Sequence, residues 1–99
     1  MTNTFQVPGG VVHSRFPVGK LSITFFALHV LTQDMITSGL KRHAAGDWGD
    51  VSEEDRAANE RALLHGGRLF SAYHEGDAKY WIITEADRSE TTLLLPDDY

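Results

Sequence analysis

The pattern of apolar and polar positions is most regular in the last third of the chain, where three strand-like runs are separated by polar, turn-forming segments. Residues 68–74 alternate between two sides, and residues 79–84 and 91–95 are rich in the β-branched and aromatic side chains that favour strands. Gly76 permits a tight turn between the first two runs, and Pro96 ends the third because it has no N–H for a sheet hydrogen bond. The pattern predicts a three-stranded antiparallel meander.

Two segments ahead of this meander carry the end signals of helices. The clearer one begins after Ser52, whose hydroxyl can accept a hydrogen bond from the N–H of residue 55, and it runs to about His65 before a Gly-Gly pair. The other follows residues 32–34 and closes at Gly46, with basic residues in its last turn where they suit the carbonyl end of the helix dipole. Each segment is predicted to be a helix.

The run Leu21–Leu31 allows two interpretations. Its β-branched and aromatic residues favour a strand, whereas its apolar spacing also suits a helix that Ser22 or Thr24 can cap. Residues 11–16 are a possible edge strand beside the meander, because the proline that follows allows no more than an edge position.

The elements together predict an α+β fold, with three helices packed on a small antiparallel sheet formed by the C-terminal meander and a possible N-terminal edge strand. We expect residues 1–99 to form a single domain, because a chain of this length has no room for a second hydrophobic core. Residues 1–10, which contain a Pro-Gly-Gly sequence, are expected to be a flexible arm.

Composition excludes several classes of protein. The chain has no cysteine, which rules out disulfides, thiolate metal ligands and cysteine nucleophiles. The N-terminal residues lack the features of a signal peptide, and the longest apolar run is too short to span a bilayer. We therefore expect a cytoplasmic protein that does not associate with membranes.

The net charge of −5 is unevenly distributed. Residues 1–43 carry four basic side chains against one carboxylate, whereas residues 44–99 carry thirteen carboxylates against five basic side chains. Such an acidic half argues against direct binding of nucleic acid through phosphate contacts, and it would attract basic protein surfaces. A solvated surface that only maintains solubility is an equally consistent interpretation.

Candidate catalytic chemistry is sparse. The five histidines have no metal-binding spacing, although a fold could gather His43, His65 and Asp47. Glu85 and Asp87 share a loop, but a hairpin tip rarely provides the pocket that acid–base catalysis needs, and turn capping explains them more simply. We predict no enzymatic activity, no metal and no cofactor.

The remaining candidate site is formed by carboxylates that occur in groups along the second half of the chain. Carboxylates presented at roughly the spacing of phosphates can occupy a basic groove built for DNA. Asp97 and Asp98 form a further group near the C-terminus. The candidate partner-binding residues are Asp47, Asp50, Glu53, Glu54, Asp55, Glu60, Glu85, Asp87 and Glu90.

Four ordered motifs resemble a family of small bacterial proteins carried by plasmids and phages. They are HAAGDWGD at 43–50, GRLFSAY at 67–73, WIITEADRS at 81–89 and TTLLLP at 91–96. The resemblance covers about residues 40–99 and does not extend to the first twenty. It implies no catalytic residue, and it favours a helix over residues 21–31.

The chain is also similar to small anti-CRISPR proteins that act on type I systems. This resemblance implies a non-enzymatic, monomeric inhibitor in the cytoplasm of a bacterial host, which binds a basic, DNA-handling surface of the effector complex and blocks target DNA. Two alternatives remain open. One is an accessory or regulatory protein of a mobile element that binds a partner through an aromatic patch near Trp48 and Tyr73, and the other is a small hydrolase or metalloprotein.

Overall fold

A computed structural model describes residues 3–99, so that Met1 and Thr2 lie outside the described part of the chain. The strands are β1 (Asn3–Val7), β2 (Gly10–Ser14), β3 (Lys20–Ile23), β4 (Leu69–Glu75), β5 (Ala78–Thr84) and β6 (Glu90–Leu94). The helices are α1 (Phe25–Val30), α2 (Gln33–Ala45) and α3 (Glu53–His65), and a single 3-10 turn spans Pro96–Asp98. The predicted α+β class is confirmed.

The main sheet has four strands in the order β3-β6-β5-β4. Its last three strands form the predicted antiparallel meander, in which Leu69 pairs with Thr84 and Ile82 pairs with Leu93. β3 joins the other side of β6 in the parallel direction, so the sheet is mixed and the prediction of a purely antiparallel sheet is wrong. The parallel direction is possible because the long connection through three helices returns the chain to the same end of the sheet.

The extra edge strand exists, but it is β3 rather than residues 11–16. Residues 11–14 instead pair with β1 in a separate two-stranded hairpin closed by Pro8-Gly9, where Gly9 has a φ of 95°. Asn3–Val7 therefore form a strand, and the prediction of a flexible arm over residues 1–10 is wrong for residues 3–10. The Pro-Gly pair forms a hairpin turn rather than a break between an arm and the fold.

The run 21–31 contains both of the structures that its sequence allowed. β3 ends at Ile23, and Thr24 caps α1 by accepting a hydrogen bond from the Ala27 N–H at 3.3 Å. The two longer helices follow their predicted signals, since Gly46 ends α2 in the left-handed conformation and the Ser52 hydroxyl caps α3. The capping residues therefore indicated these helix ends more clearly than the spacing of the apolar residues did.

The core lies between α2 and one side of the main sheet. Tyr80 projects from β5 on this side, and its hydroxyl donates to the Met35 carbonyl of α2 at 3.1 Å. On the far edge of the sheet, the Asn59 side chain of α3 makes two hydrogen bonds to the backbone of Phe70, at 2.8 and 3.0 Å. The edge at β4 is thereby covered, whereas β3 has a strand partner on one side only.

Candidate functional site

Four of the nine candidate carboxylates form ion pairs with arginine. Asp47 accepts from Arg42 at 2.7 Å, and this hydrogen bond lowers the pKa of the carboxyl. The other three are longer contacts, Glu53 with Arg56 at 3.6 Å, Glu60 with Arg15 at 3.4 Å and Glu85 with Arg68 at 3.9 Å. These pairings offset part of the negative field that the sequence predicted.

Three more of these carboxylates bond to other polar groups. Asp50 lies 2.5 Å from the His74 ring, Asp87 accepts from the Ser89 N–H at 2.9 Å, and Glu90 accepts from Ser22 at 2.5 Å. The Asp87 contact is the turn cap that the sequence offered as the simpler explanation. Glu90 lies beside β3, on a different element from the carboxylates that flank Trp48.

The remaining two carboxylates, Glu54 and Asp55, have exposed side chains that meet no partner within residues 3–99. Together with Glu53 they form the first turn of α3, where negative charge suits the helix dipole. The structure therefore brings one compact group of exposed carboxylates together, Glu53–Asp55. The other six members of the predicted set lie apart from this group, on loops, on β6 and, for Glu60, in the second turn of α3, and each has a polar partner.

The aromatic patch predicted near Trp48 and Tyr73 is not on the surface, so that prediction is wrong. Trp48 is 1% exposed, lies against the Phe16 ring and donates its indole N–H to Glu60 at 2.9 Å. Tyr73 is also buried, and its hydroxyl donates to the Asp47 carbonyl at 2.6 Å. Both rings hold the loop before α3 against the sheet, which is why they are unavailable to a partner.

His43 occupies the centre of a buried polar chain. Thr91 donates to the Val18 carbonyl at 2.7 Å, which leaves its oxygen to accept from Thr84 at 2.7 Å. The Thr84 oxygen must then accept from His43 Nε2 at 2.9 Å, and Nδ1 accepts from the Ser71 hydroxyl at 2.5 Å. The hydrogen bonds thus place a proton on Nε2, and the lowered pKa of the ring keeps it neutral at neutral pH, so that Nδ1 is an acceptor. Burial lowers the pKa of this ring to about 3.

This tautomer is directly measurable. We expect nitrogen-15 NMR of the protein at neutral pH to show a protonated Nε2 and an unprotonated Nδ1 for His43, because only this arrangement satisfies the whole chain. Replacement of Ser71 by alanine removes the only donor to Nδ1 and should destabilise the fold by about 1–3 kcal/mol. The opposite tautomer would show that the hydroxyls of Thr84 and Thr91 point the other way.

The metal alternative had required His43, His65 and Asp47 to meet. His43 is enclosed by Ser71 and Thr84, Asp47 is paired with Arg42, and His65 is exposed at the end of α3. Within the described residues, no group of three or more potential metal ligands is found. The geometry offers no support for a metalloprotein.

α1 carries the largest group of exposed apolar side chains. Ala27 is the one residue of this helix that is buried, so the helix lies on the surface as a raised element. We call the four exposed side chains the α1 ridge: Phe25 at 67%, Phe26 at 62%, Leu28 at 57% and Val30 at 55% exposure. The two phenylalanine rings meet edge to face, with centroids 5.6 Å apart.

A recessed surface, which we call the β1–β3 trough, adjoins this ridge. It consists of two clefts of about 440 and 410 Å³, each with β1 or its turn on one side, and Leu21 lines both. The other side of the first cleft is formed by residues 16–21. The other side of the second cleft is formed by Leu21 and Ile23 together with residues 28–40 of α1, α2 and the link between them. Leu28 of the α1 ridge also lines the second cleft. No charged side chain lines either cleft, although charged residues make up 23% of the chain.

Sequence reasoning missed both surfaces for a physical reason. An apolar run such as residues 21–31 predicts burial, and its sequence does not show that only Ala27 of α1 faces the core. The signal that was available is the absence of Asp, Glu, Lys and Arg from residues 21–33, combined with a spacing that fits no single face.

Within residues 3–99, no helix combines the length and apolar character needed to cross a membrane. The resemblances to a plasmid- and phage-borne family and to anti-CRISPR proteins stay expectations. No protein-family profile, curated protein or solved structure matches this chain, so its function is argued from the geometry above.

Proposed function

We propose that this protein acts without catalysis, by binding a partner protein through the α1 ridge and the adjoining β1–β3 trough. The observation that carries the proposal is the exposure of four large apolar side chains on one short helix. Exposed apolar groups that are contiguous, rather than scattered singly, mark interaction sites. This proposal keeps the hypothesis of an accessory protein that binds through an aromatic patch. The patch now consists of Phe25 and Phe26 instead of Trp48 and Tyr73.

The size of the surface favours a heterologous partner over a second copy of the chain. From the exposed fractions, the α1 ridge presents on the order of 400 Å² of apolar surface. A stable dimer buries about 800 Å² on each partner, so the ridge alone is too small for an isologous interface. A partner that covers the ridge and also enters the trough buries a larger area than the ridge alone offers.

Replacement of Phe26 by glutamate tests this proposal. The variant places a charge at the centre of an uncharged interface and should weaken partner binding at least about thirtyfold, the effect of losing an interface hot spot. Leu64→Glu is the matched control, because Leu64 is 79% exposed on α3 and lies outside the ridge. Proteins captured from host lysate by the parent chain are identified, purified and titrated calorimetrically against all three forms.

Equal binding by Phe26→Glu and Leu64→Glu would remove the ridge from the interface. Light scattering on the isolated protein supplies the second check. A stable dimer that Phe26→Glu dissociates would identify a second copy as the occupant and contradict the heterologous assignment.

The second candidate is the inhibitor of a type I CRISPR effector, acting in the bacterial cytoplasm on a basic, DNA-handling surface. The observation that favours it is the first turn of α3, where Glu53, Glu54 and Asp55 are exposed side by side. Clustered charges of this kind accelerate association with a basic surface and make binding sensitive to salt. The paired carboxylates would contribute less, because each already has a local partner.

Reversal of Glu54 and Asp55 to lysine tests the inhibitor. We expect at least about a tenfold loss of affinity for a purified type I effector and a flatter salt dependence. Positive charge at the start of a helix costs stability, so circular dichroism must confirm the fold. Reversal of Glu75 and Asp77 to lysine, at the exposed β4–β5 turn, is the control, because it changes the net charge by the same amount. Inhibition of DNA binding that survives the double reversal would contradict this mechanism.

A further inference from the structure

The backbone of β3 has unused hydrogen-bonding groups along the β1–β3 trough. The amides of Lys20 and Thr24 donate to the carbonyls of Ser89 and Leu93, on the side of β6, at 3.0 Å each. Because backbone groups of successive strand residues point in opposite directions, the N–H and C=O of the intervening odd-numbered residues point away from β6. Leu21 and Ile23 are those residues, and both line the trough.

β1 is arranged in the same way on the opposite wall. Val7 pairs with Gly10 across the two-residue turn, and Phe5 pairs with Val12, so these residues direct their backbone groups to β2. Thr4 and Gln6 consequently direct theirs away from β2. Among residues 3–99, the backbone groups of Thr4, Gln6, Leu21 and Ile23 meet no hydrogen-bonding partner.

β1 and β3 therefore each present a strand edge to the trough, and α1 and α2 complete the wall of its second cleft. β1 and β3 belong to different sheets and do not pair with each other. Phe5 and Leu21 are partly buried and pack against the apolar core, which gives the floor of the trough its apolar character. The clefts follow β1 from Asn3 to Pro8 in chain order, so they form one elongated site rather than two separate pockets.

We propose that the β1–β3 trough binds an extended, uncharged apolar segment of the partner protein as an added β-strand. Unpaired N–H and C=O groups at every second residue on both walls match the backbone of an extended peptide, which offers donors and acceptors at the same repeat. The absence of charged side chains from the lining selects a neutral segment. A strand bound here joins the hairpin and the main sheet into one continuous sheet.

This inference rests on the proposed function, since it names the mode in which the partner enters the surface beside the α1 ridge. The probe is a capped seven-residue peptide of alternating threonine and valine, with one terminal lysine for solubility. It is titrated into nitrogen-15-labelled protein and followed by NMR and amide hydrogen exchange. The control peptide has the same sequence with all of its internal backbone nitrogens methylated, which removes the donors on both edges while keeping the side chains.

We expect the first peptide to protect the amides of Thr4, Gln6, Leu21 and Ile23 from exchange at least about tenfold at saturation, and the methylated peptide to have no such effect. Gln6→Pro removes one donor on the trough side and leaves the β1–β2 ladder intact. It should weaken the peptide about threefold to tenfold relative to Gln6→Ala.

Three outcomes overturn the inference. They are equal binding of both peptides, protection of other amides only, and no binding of either peptide up to about 1 mM. Protection of the four amides without peptide, accompanied by dimerisation, would assign the trough to a second copy instead. Failure of the proposed function has a different signature. In that case Phe26→Glu leaves partner binding unchanged, whether or not the peptide binds.

Discussion

Acidification from neutral pH to about pH 4.5 should destabilise this fold by roughly 2–3 kcal/mol through His43 alone. The pKa of this imidazole is about 3 in the folded protein, against an ordinary value of 6.5 in the unfolded chain. Between these two values the unfolded state binds one more proton than the folded state. The free energy of unfolding therefore falls by up to about 1.4 kcal/mol for each unit of pH lost below 6.5.

Urea unfolding at neutral pH and at about pH 4.5 measures this effect, with His43→Gln as the comparison. Glutamine can accept from Ser71 and donate to Thr84, but it does not titrate. Its stability should depend less on pH over this range than that of the parent protein. Parallel pH profiles for the two proteins would show that His43 is not held neutral, and they would contradict the hydrogen-bond assignment.

Replacement of Trp48 by alanine should cost about 3–5 kcal/mol and can unfold the protein, because it empties a space enclosed by Phe16 and His43. It also leaves Glu60 without its indole donor, the interaction that contributes most to the lowered pKa of this carboxyl. Denaturant unfolding at neutral pH measures the loss.

Trp81→Ala is the matched control, since Trp81 is half-buried on the opposite side of the sheet and contacts Phe70 and Tyr99. We expect a smaller loss there. A cost below about 2 kcal/mol for Trp48→Ala would mean that the loop before α3 closes over the vacated space.

Local chemistry was sufficient to predict the parts of the fold whose partners lie close in sequence. The alternation of residues 68–74 predicted β4, and Gly46 and Ser52 marked helix ends by their caps. These signals work because a cap or a hairpin is decided by residues a few positions apart.

Long-range pairing was not predictable in this way. The sequence of Lys20–Ile23 does not show that its partner is β6, nor that the two strands run in parallel. The partners of carboxylates that pair across a long sequence separation were likewise hidden, since Glu60 meets Arg15 and Glu85 meets Arg68 only after folding. The fold therefore favours α1 over the carboxylates as the candidate binding surface, because four apolar side chains of this helix are exposed.

The parallel pairing of β3 with β6 also constrains the order in which the chain can fold. Lys20 pairs with Glu90, so the first strand of the main sheet has no partner there until β6 has been synthesised. Contacts between such distant residues are formed at a high cost in loop entropy and slow the folding of a small domain. During translation β3 stays without a strand partner, and a chaperone or an early-binding protein would meet its apolar side chains first.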